Sequence, residues 1–263
     1  MQDGIFRAAD RSTTTAAGGV SQFATDVVAR LVARDAVGGA VLRDSLVHRF
    51  MDAVRSSDPG AFEALKPELK RARISAATLA DVYIPEVARR LGQGWDEDCI
   101  SFAEVTMGVA RLQAILREIG KTWVADDAGP QAGMTMLFIL PSGEQHTLGA
   151  LVAAGWLRRQ GISVCLRIAP SVSDLTELLS TRSFDGAMIS IACNDKLDVC
   201  ARTVKTLKDA STNDLRVAVG GAIMEWGEDA VKATGADIVT NDLKAALLVI
   251  DQTPRKIAPL SAT

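Results

Sequence analysis

Two histidines occur in the 263-residue chain, His48 and His146, and the second stands among groups that suit an imidazole for ligation. It lies in "PSGEQHTLG", directly after the apolar run Phe138-Ile-Leu, two residues beyond Glu144 and three before Gly149. In an extended loop, residues two apart project to the same side. The carboxylate of Glu144 can therefore accept one ring N–H of His146, which fixes the tautomer, keeps a lone pair on the other nitrogen and raises its basicity. Gly149, with no Cβ, lets another group approach the backbone of whatever follows. Taken alone, Glu-x-His-x-x-Gly also suits an ordinary loop histidine with a satisfied hydrogen bond.

What surrounds the motif gives it weight. From about residue 133, short apolar runs at 134–140, 162–168, 186–191, 215–219 and 237–239 alternate with helical patterns at 147–160, 172–182, 197–210, 227–234 and 243–251. Five strands interleaved with five helices predict an α/β fold, a flavodoxin-like five-stranded parallel sheet that binds ligands beyond the carboxyl ends of its strands. His146 belongs to the end of the first strand. Ser190 follows the third, Gly220-Gly221-Ala222 the fourth, and Thr240-Asn241-Asp242 the fifth. Together they bring a hydroxyl, bare backbone and small polar groups to one crevice.

The first half has a different period, with apolar residues at helical spacing and no β-branched run. Helices are expected at 23–34, 40–54 and 61–73. A fourth is capped by Ser75, kinked at Pro85 and ended at Gly92, and a fifth opens on the capping box Ser101/Glu104 with the stripe Val105, Val109, Leu112, Leu116, Ile119 and Trp123. The polar, Gly/Pro-marked stretch 125–133 separates the halves. The resulting division is a tail at 1–22, a helical bundle at 23–127, the sheet domain at 133–253 and a tail at 254–263. Trp95, flanked by Gly92, Gly94, Asp96 and Asp98, suits a turn at a crevice or a core position. His48 is a structural or solvent histidine, or a second imidazole ligand. Arg111 and Arg117 are solvated charges or partner contacts.

A net charge of −3 supplies no broad cationic field for nucleic acid or anionic membrane. No apolar run approaches the roughly 20 residues of a membrane span. The N-terminus does not read as a secretory signal, so a cytoplasmic protein is expected. Cys99, Cys165, Cys193 and Cys200 form no CxxC pair and read as structural thiols, with redox sensing by Cys193 and Cys200 as the alternative. No acid/base pair, activated nucleophile or phosphate loop is present, so no enzyme is expected.

The order Glu144-x-His146-x-x-Gly149, Ser190-x-Ala192 and Gly220-Gly221 resembles the cobalamin-binding domains of methionine synthase, corrinoid proteins and light-sensing regulators, whose signature is Asp-x-His-x-x-Gly, Ser-x-Leu and Gly-Gly. The resemblance implies that His146 is the lower axial ligand of cobalt. It also implies a slot for the displaced nucleotide tail beside Gly149, Ser190, Gly220 and Gly221, with Thr147, Ala192, Thr240 and Asn241 in the same binding region. Two departures stand out: Glu144 replaces aspartate, and Ala192 stands where leucine is usual. "DVYIPEVARRLGQGW" and "SFAEVTMGVARLQ" are similar to the helical half that caps the upper corrin face, with Trp95 over the corrin. Val105 and Thr106 stand where light-sensing DNA-binding relatives carry Glu-His. Nothing matches those relatives' helix-turn-helix domain, so direct operator binding is not expected.

The chain resembles most the AerR/PpaA family of cobalamin-binding antirepressors, which act on CrtJ/PpsR-type repressors of photosynthesis genes. That implies a photoreceptor carrying adenosyl-, methyl- or hydroxocobalamin, in which light changes the upper ligand and the two halves rearrange at a protein interface. Two alternatives share the sequence features: a corrinoid carrier for a methyltransferase, and a haem-binding redox sensor using His146.

Overall fold

A computed structural model describes residues 42–123, 133–221, 223 and 227–252. The expected tail 1–22, the helix at 23–34, most of the stretch 125–133, Ala222 and the tail 254–263 lie outside the described residues.

Helix α1 (Asp44–Arg55) buries Leu46, Val47, Phe50, Ala53 and Val54, a spacing that forms one apolar stripe. The Asp58 carboxylate accepts the Gly60 amide at 2.8 Å to turn the chain into α2 (Ala61–Arg71), which buries Leu65 and Leu69. Ser75 caps the next stretch as expected, accepting from the Thr78 amide. Beyond it the helix does not end at Gly92. A π-helical turn, Leu79–Tyr83, leads into α3 (Ile84–Asp96), so Trp95 sits in a last helical turn. The wider turn just before Pro85 takes up the missing amide donor, and the helix continues.

Helix α4 (Phe102–Ile119) opens on the capping box. Ser101 Oγ accepts from the Glu104 amide, and Glu104 Oε2 accepts from the Ser101 amide at 3.0 Å. Arg55 of α1 donates to Glu104 Oε1 at 2.7 Å; this guanidinium, with the Ser101 amide and hydroxyl, holds the Glu104 carboxyl down at about 2. The four helices enclose one apolar core that includes Phe50, Tyr83, Leu91 and Leu112.

The second half alternates as its pattern predicts. Strands β1 (Thr135–Leu140), β2 (Ser163–Ile168), β3 (Gly186–Ile191), β4 (Val217–Gly221) and β5 (Ile238–Val239) are separated by α5 (Thr147–Arg159), α6 (Val172–Thr181), α7 (Leu197–Ala210) and α8 (Glu228–Ala233), and α9 (Leu243–Asp251) follows. All pairings are parallel, in the order β2-β1-β3-β4-β5. This is the flavodoxin-like α/β sheet. β1 and β3 are buried on both faces: Leu137, Ile139, Ala187 and Ile189 pack with α6 and α7, while Met136, Phe138, Leu140 and Met188 pack with α5 and α9. Such strands read as continuous apolar runs.

Helix α5 serves two cores. Ala150, Ala153, Trp156 and Leu157 face the sheet, whereas Leu148, Leu151 and Val152 join the bundle. At its far end Arg159 binds both carboxylate oxygens of Asp81, in the π-helical turn, and lies 4.1 Å over the Trp123 ring. Among the described residues no helix is long and apolar enough to cross a membrane.

The sheet's grip on α9 can be tested at Gly186, where a Cβ would overlap the Ile250 side chain, itself 1% exposed. Gly186→Ala is expected to lower stability by about 1–3 kcal/mol through overpacking, read as a reduced urea midpoint with an unchanged slope.

Candidate functional site

Leaving β1, the chain turns at once. The Glu144 amide donates to Pro141 O at 3.0 Å, and Gly143 adopts a φ of 82°, a left-handed conformation that favours glycine. The turn delivers Glu144 into the interior, where its side chain has no exposed surface. Its hydrogen-bond partners there are donors. Oε1 accepts from the His146 ring at Nδ1 (2.7 Å) and from the His146 amide (2.9 Å), and Oε2 accepts from the Ala192 amide just past β3 (2.7 Å). Burial by itself pushes the Glu144 carboxyl upward. The bonds from the ring, the Ala192 amide and the His146 amide outweigh it and hold the group below its ordinary 4.5. Because Glu144 is ionised, Nδ1 carries the ring proton, and ligation of a metal beyond the loop falls to Nε2.

His146 is also the N-cap residue of α5, and its side chain is about one-fifth exposed (22%). The next residue, Thr147, accepts a 2.9 Å hydrogen bond from Gln113 of α4, so the histidine loop is tied to the bundle one residue after the imidazole. Ala192 enters through its backbone amide, which is indifferent to the side chain at this position.

Beside this loop a cavity of about 50 Å³ runs between α5, α9 and strands β3 and β4. Gly149, Ser190, Gly220, Gly221, Thr240 and Asn241 line it, so the structure brings together six of the residues singled out in the sequence. Ser190 and Gly220 lie inside their strands, not after them, and are paired across β3 and β4. Both glycines answer to local geometry. Gly221 has φ 107°, and Asn241 clamps it with Oδ1 accepting its amide at 2.6 Å and Nδ2 donating to its carbonyl at 3.1 Å. A Cβ on Gly220 would lie 3.0 Å from Thr240 O. The cavity's lining is mostly apolar. Its volume falls short of the roughly 300–1,000 Å³ typical of ligand pockets.

Trp95 and Val105 are not brought to this cavity. Val105 is 7% exposed within the bundle core, and Trp95 packs against the same core with its ring 6.2 Å from that of Phe102, which is 70% exposed. His48 lies on the exposed side of α1, bonded to Asp44 and 3.4 Å from Arg90. Arg111 reaches back to the carbonyls of Val54 and Ser56, a structural tie between α4 and α1.

One residue here was read in the sequence only as a thiol. Cys193 Sγ lies 3.8 Å from His146 Nδ1, and burial, then the carboxylates of Glu144 and Asp195, push that thiol's pKa up. The signal was its position: Cys193 is two residues past β3, and β3 lies beside β1. Cys200 is fully buried in the sheet core, with burial pushing it up to about 12, and is a packing residue.

No family model matches the chain. A protein of Rhodobacter capsulatus, described as an uncharacterized 20.5 kDa protein in the bchF-crtJ intergenic region, is 44% identical over 185 residues, 70% of this chain and 96% of that protein. The chain belongs to its family. Among solved structures, the monomethylamine corrinoid protein of Methanosarcina barkeri matches with a TM-score of 0.58 at 14% identity, covering 79% of this chain and 96% of that one. That match supports the fold of this family member, a helical bundle followed by a parallel sheet domain. A cobalamin-binding protein of Desulfitobacterium hafniense DCB-2 aligns over 80% of this chain and 96% of its own, at 19% identity, with a TM-score of 0.39.

The role of Glu144 makes a prediction about acid. Its folded pKa is depressed, so the stability it contributes is full above about 4.5 and is lost as pH falls through the lower folded value. Glu144→Gln is expected to cost about 1.5–3 kcal/mol at neutral pH, the worth of hydrogen bonds to a charged group. That deficit should shrink as pH drops below 4.5, as followed by urea unfolding across the range.

Proposed function

We propose that this protein is a cobalamin-binding, light-responsive regulator of the AerR/PpaA type, an antirepressor acting on a CrtJ/PpsR-like repressor of photosynthesis genes. The observation that carries the reading is the buried Glu144 carboxylate lying 2.7 Å from Nδ1 of His146 at the carboxyl end of β1. Cobalt would be held from below by Nε2. Gly149, Ser190, Gly220, Gly221, Thr240 and Asn241 would receive the cofactor's nucleotide tail, with Thr147 and Ala192 at the loop. Bound alkylcobalamin would supply a cobalt–carbon bond that light can break.

The remaining roles belong to the chain. The bundle, 23–127, would cover the upper corrin face and the sheet domain, 133–253, the lower. Trp95, half-buried beside exposed Phe102, is the more accessible candidate contact, whereas Val105 is buried in the bundle core. Helix α5 would transmit a change of ligand state, since the loop at its start and the Arg159–Asp81 pair at its end both reach the bundle. Such a switch demands that the two ligand states differ in affinity for the two arrangements. The family's link to a gene region named after crtJ supports the choice of repressor. A corrinoid carrier serving a methyltransferase is the second reading, favoured by the fold match to a corrinoid protein.

The test is an absorption spectrum of protein incubated with adenosylcobalamin, before and after illumination, beside His146→Ala. The expected result is tight retention, a spectrum lacking the free cofactor's lower base, a photoproduct on illumination, and loss of the first two features in the variant. Equal retention and identical spectra in His146→Ala would remove the ligand. A Soret band in the purified protein would favour haem, and methyl transfer to and from bound cobalt would favour the carrier.

A further inference from the structure

Three ligand-forming side chains of different chemistry meet beside β1. Glu144, His146 and Cys193 place a carboxylate oxygen, a ring nitrogen and a thiol sulfur all within 4.8 Å of one another. Each comes from a different constraint. Glu144 is fixed by the turn after β1, His146 by its position at the start of α5, and Cys193 by the end of β3. Among the described residues no other group of three such side chains comes together.

We propose that Glu144, His146 and Cys193 form a binding site for a thiophilic divalent cation of the zinc class in the corrinoid-free chain. A tetrahedral zinc with bonds of about 2.3 Å to sulfur and about 2.0–2.1 Å to nitrogen separates those two atoms by about 3.6 Å. Cys193 Sγ and His146 Nδ1 are 3.8 Å apart, within a small rotation of that value. The carboxylate needs more movement. Nitrogen and oxygen ligands of such an ion stand about 3.4 Å apart, whereas Nδ1 and Oε1 are now 2.7 Å apart, joined by the proton the metal would replace.

The carboxylate stays oriented during that adjustment because the Ala192 amide holds Oε2 at 2.7 Å, the outer support that metal ligands characteristically have. Coordination sends the thiol proton to solvent and moves the ring proton from Nδ1 to Nε2, leaving neutral imidazole and thiolate as ligands. Lys196 brings a positive charge to the neighbourhood of Cys193 and Glu144, but its ammonium is paired with Asp195 at 2.6 Å. Three protein ligands leave the fourth tetrahedral position to water. With His146 and Cys193 both partly exposed, the site is open to solvent. The thiolate and imidazole select zinc, cobalt(II) and their neighbours over magnesium or calcium, which take oxygen ligands.

The test is a titration of corrinoid-free protein, reduced and stripped of metal, with Co²⁺. The expected result is one equivalent bound, a thiolate-to-cobalt charge-transfer band in the near ultraviolet, visible bands of tetrahedral cobalt, and displacement of all of these by Zn²⁺. Cys193→Ser and His146→Ala should each weaken binding at least about tenfold and abolish or shift the charge-transfer band. Cys99→Ser and Cys200→Ser should leave it unchanged, and far-ultraviolet circular dichroism verifies that each variant folds. Absence of the band in the wild-type chain, or its persistence in folded Cys193→Ser, overturns the proposal. Cobalamin plays no part in this titration, so the cation site and the regulator reading fail separately.

Discussion

The site depends on one buried carboxylate. The Glu144 side chain has no exposed surface, and an ion so placed is tolerated only where donors replace the lost hydration. Three donors do so, two from His146 and one from Ala192. The same bonds that make the charge affordable fasten the loop after β1 to the end of β3, so the imidazole's position is set by two adjacent strands in the middle of the sheet. A glutamate suits this better than a shorter aspartate, because one carboxylate must serve a ring in its own loop and an amide on the neighbouring strand.

From that anchor the helix α5 carries the consequence outward. It is the element that contributes to both the bundle core and the sheet core, with small residues Ala150 and Ala153 against the sheet and Leu148, Leu151 and Val152 against the bundle. Gln113 and Thr147 link the two parts at its start, and Arg159 links them to Asp81 and Trp123 at its end. A narrow cavity lies along the sheet side of this helix. A group much larger than its roughly 50 Å³ would press on α5 and α9, and packed interfaces respond to such displacement by changing arrangement, not by stretching. The helix that holds the candidate ligand is therefore also the helix a bound tail would move.

Much of this was legible in the sequence, for identifiable reasons. Strands buried on both faces announce themselves as apolar runs, and β1 and β3 did; the capping box at Ser101 and Glu104 is a local signal that needs no tertiary context. Elements set by a compromise were not legible. Gly92 suggested an end, but the helix runs on to Asp96, and the irregularity expected at Pro85 takes the form of a π-helical turn at Leu79–Tyr83 just before it. Ser190 and the Gly220–Gly221 pair were expected after their strands, whereas pairing extends through them, because glycine does not forbid a ladder when Asn241 holds its backbone. Gln113 and Arg159 could not be read at all, since their partners lie 34 and 78 residues away. Cys193 was visible only as a composition of strand ends: once β3 is placed beside β1, its thiol must fall near the histidine loop.

That last proximity sharpens what the ring can do. A neutral imidazole has one lone pair, and the group on one nitrogen decides the state of the other. With Glu144 accepting from Nδ1, the lone pair is on Nε2, the condition for cobalt in the proposed cofactor reading. With a cation taken up between Nδ1 and Cys193, the proton moves to Nε2 and that nitrogen becomes a donor. On these two proposals a single ring serves cobalt or the small cation, never both while neutral. Glu144 sits at the branch point, able either to accept the ring proton or to bind the ion that replaces it. On both proposals its bond from Ala192 is kept, so the choice would be made at Nδ1 without remodelling the strands that hold the site.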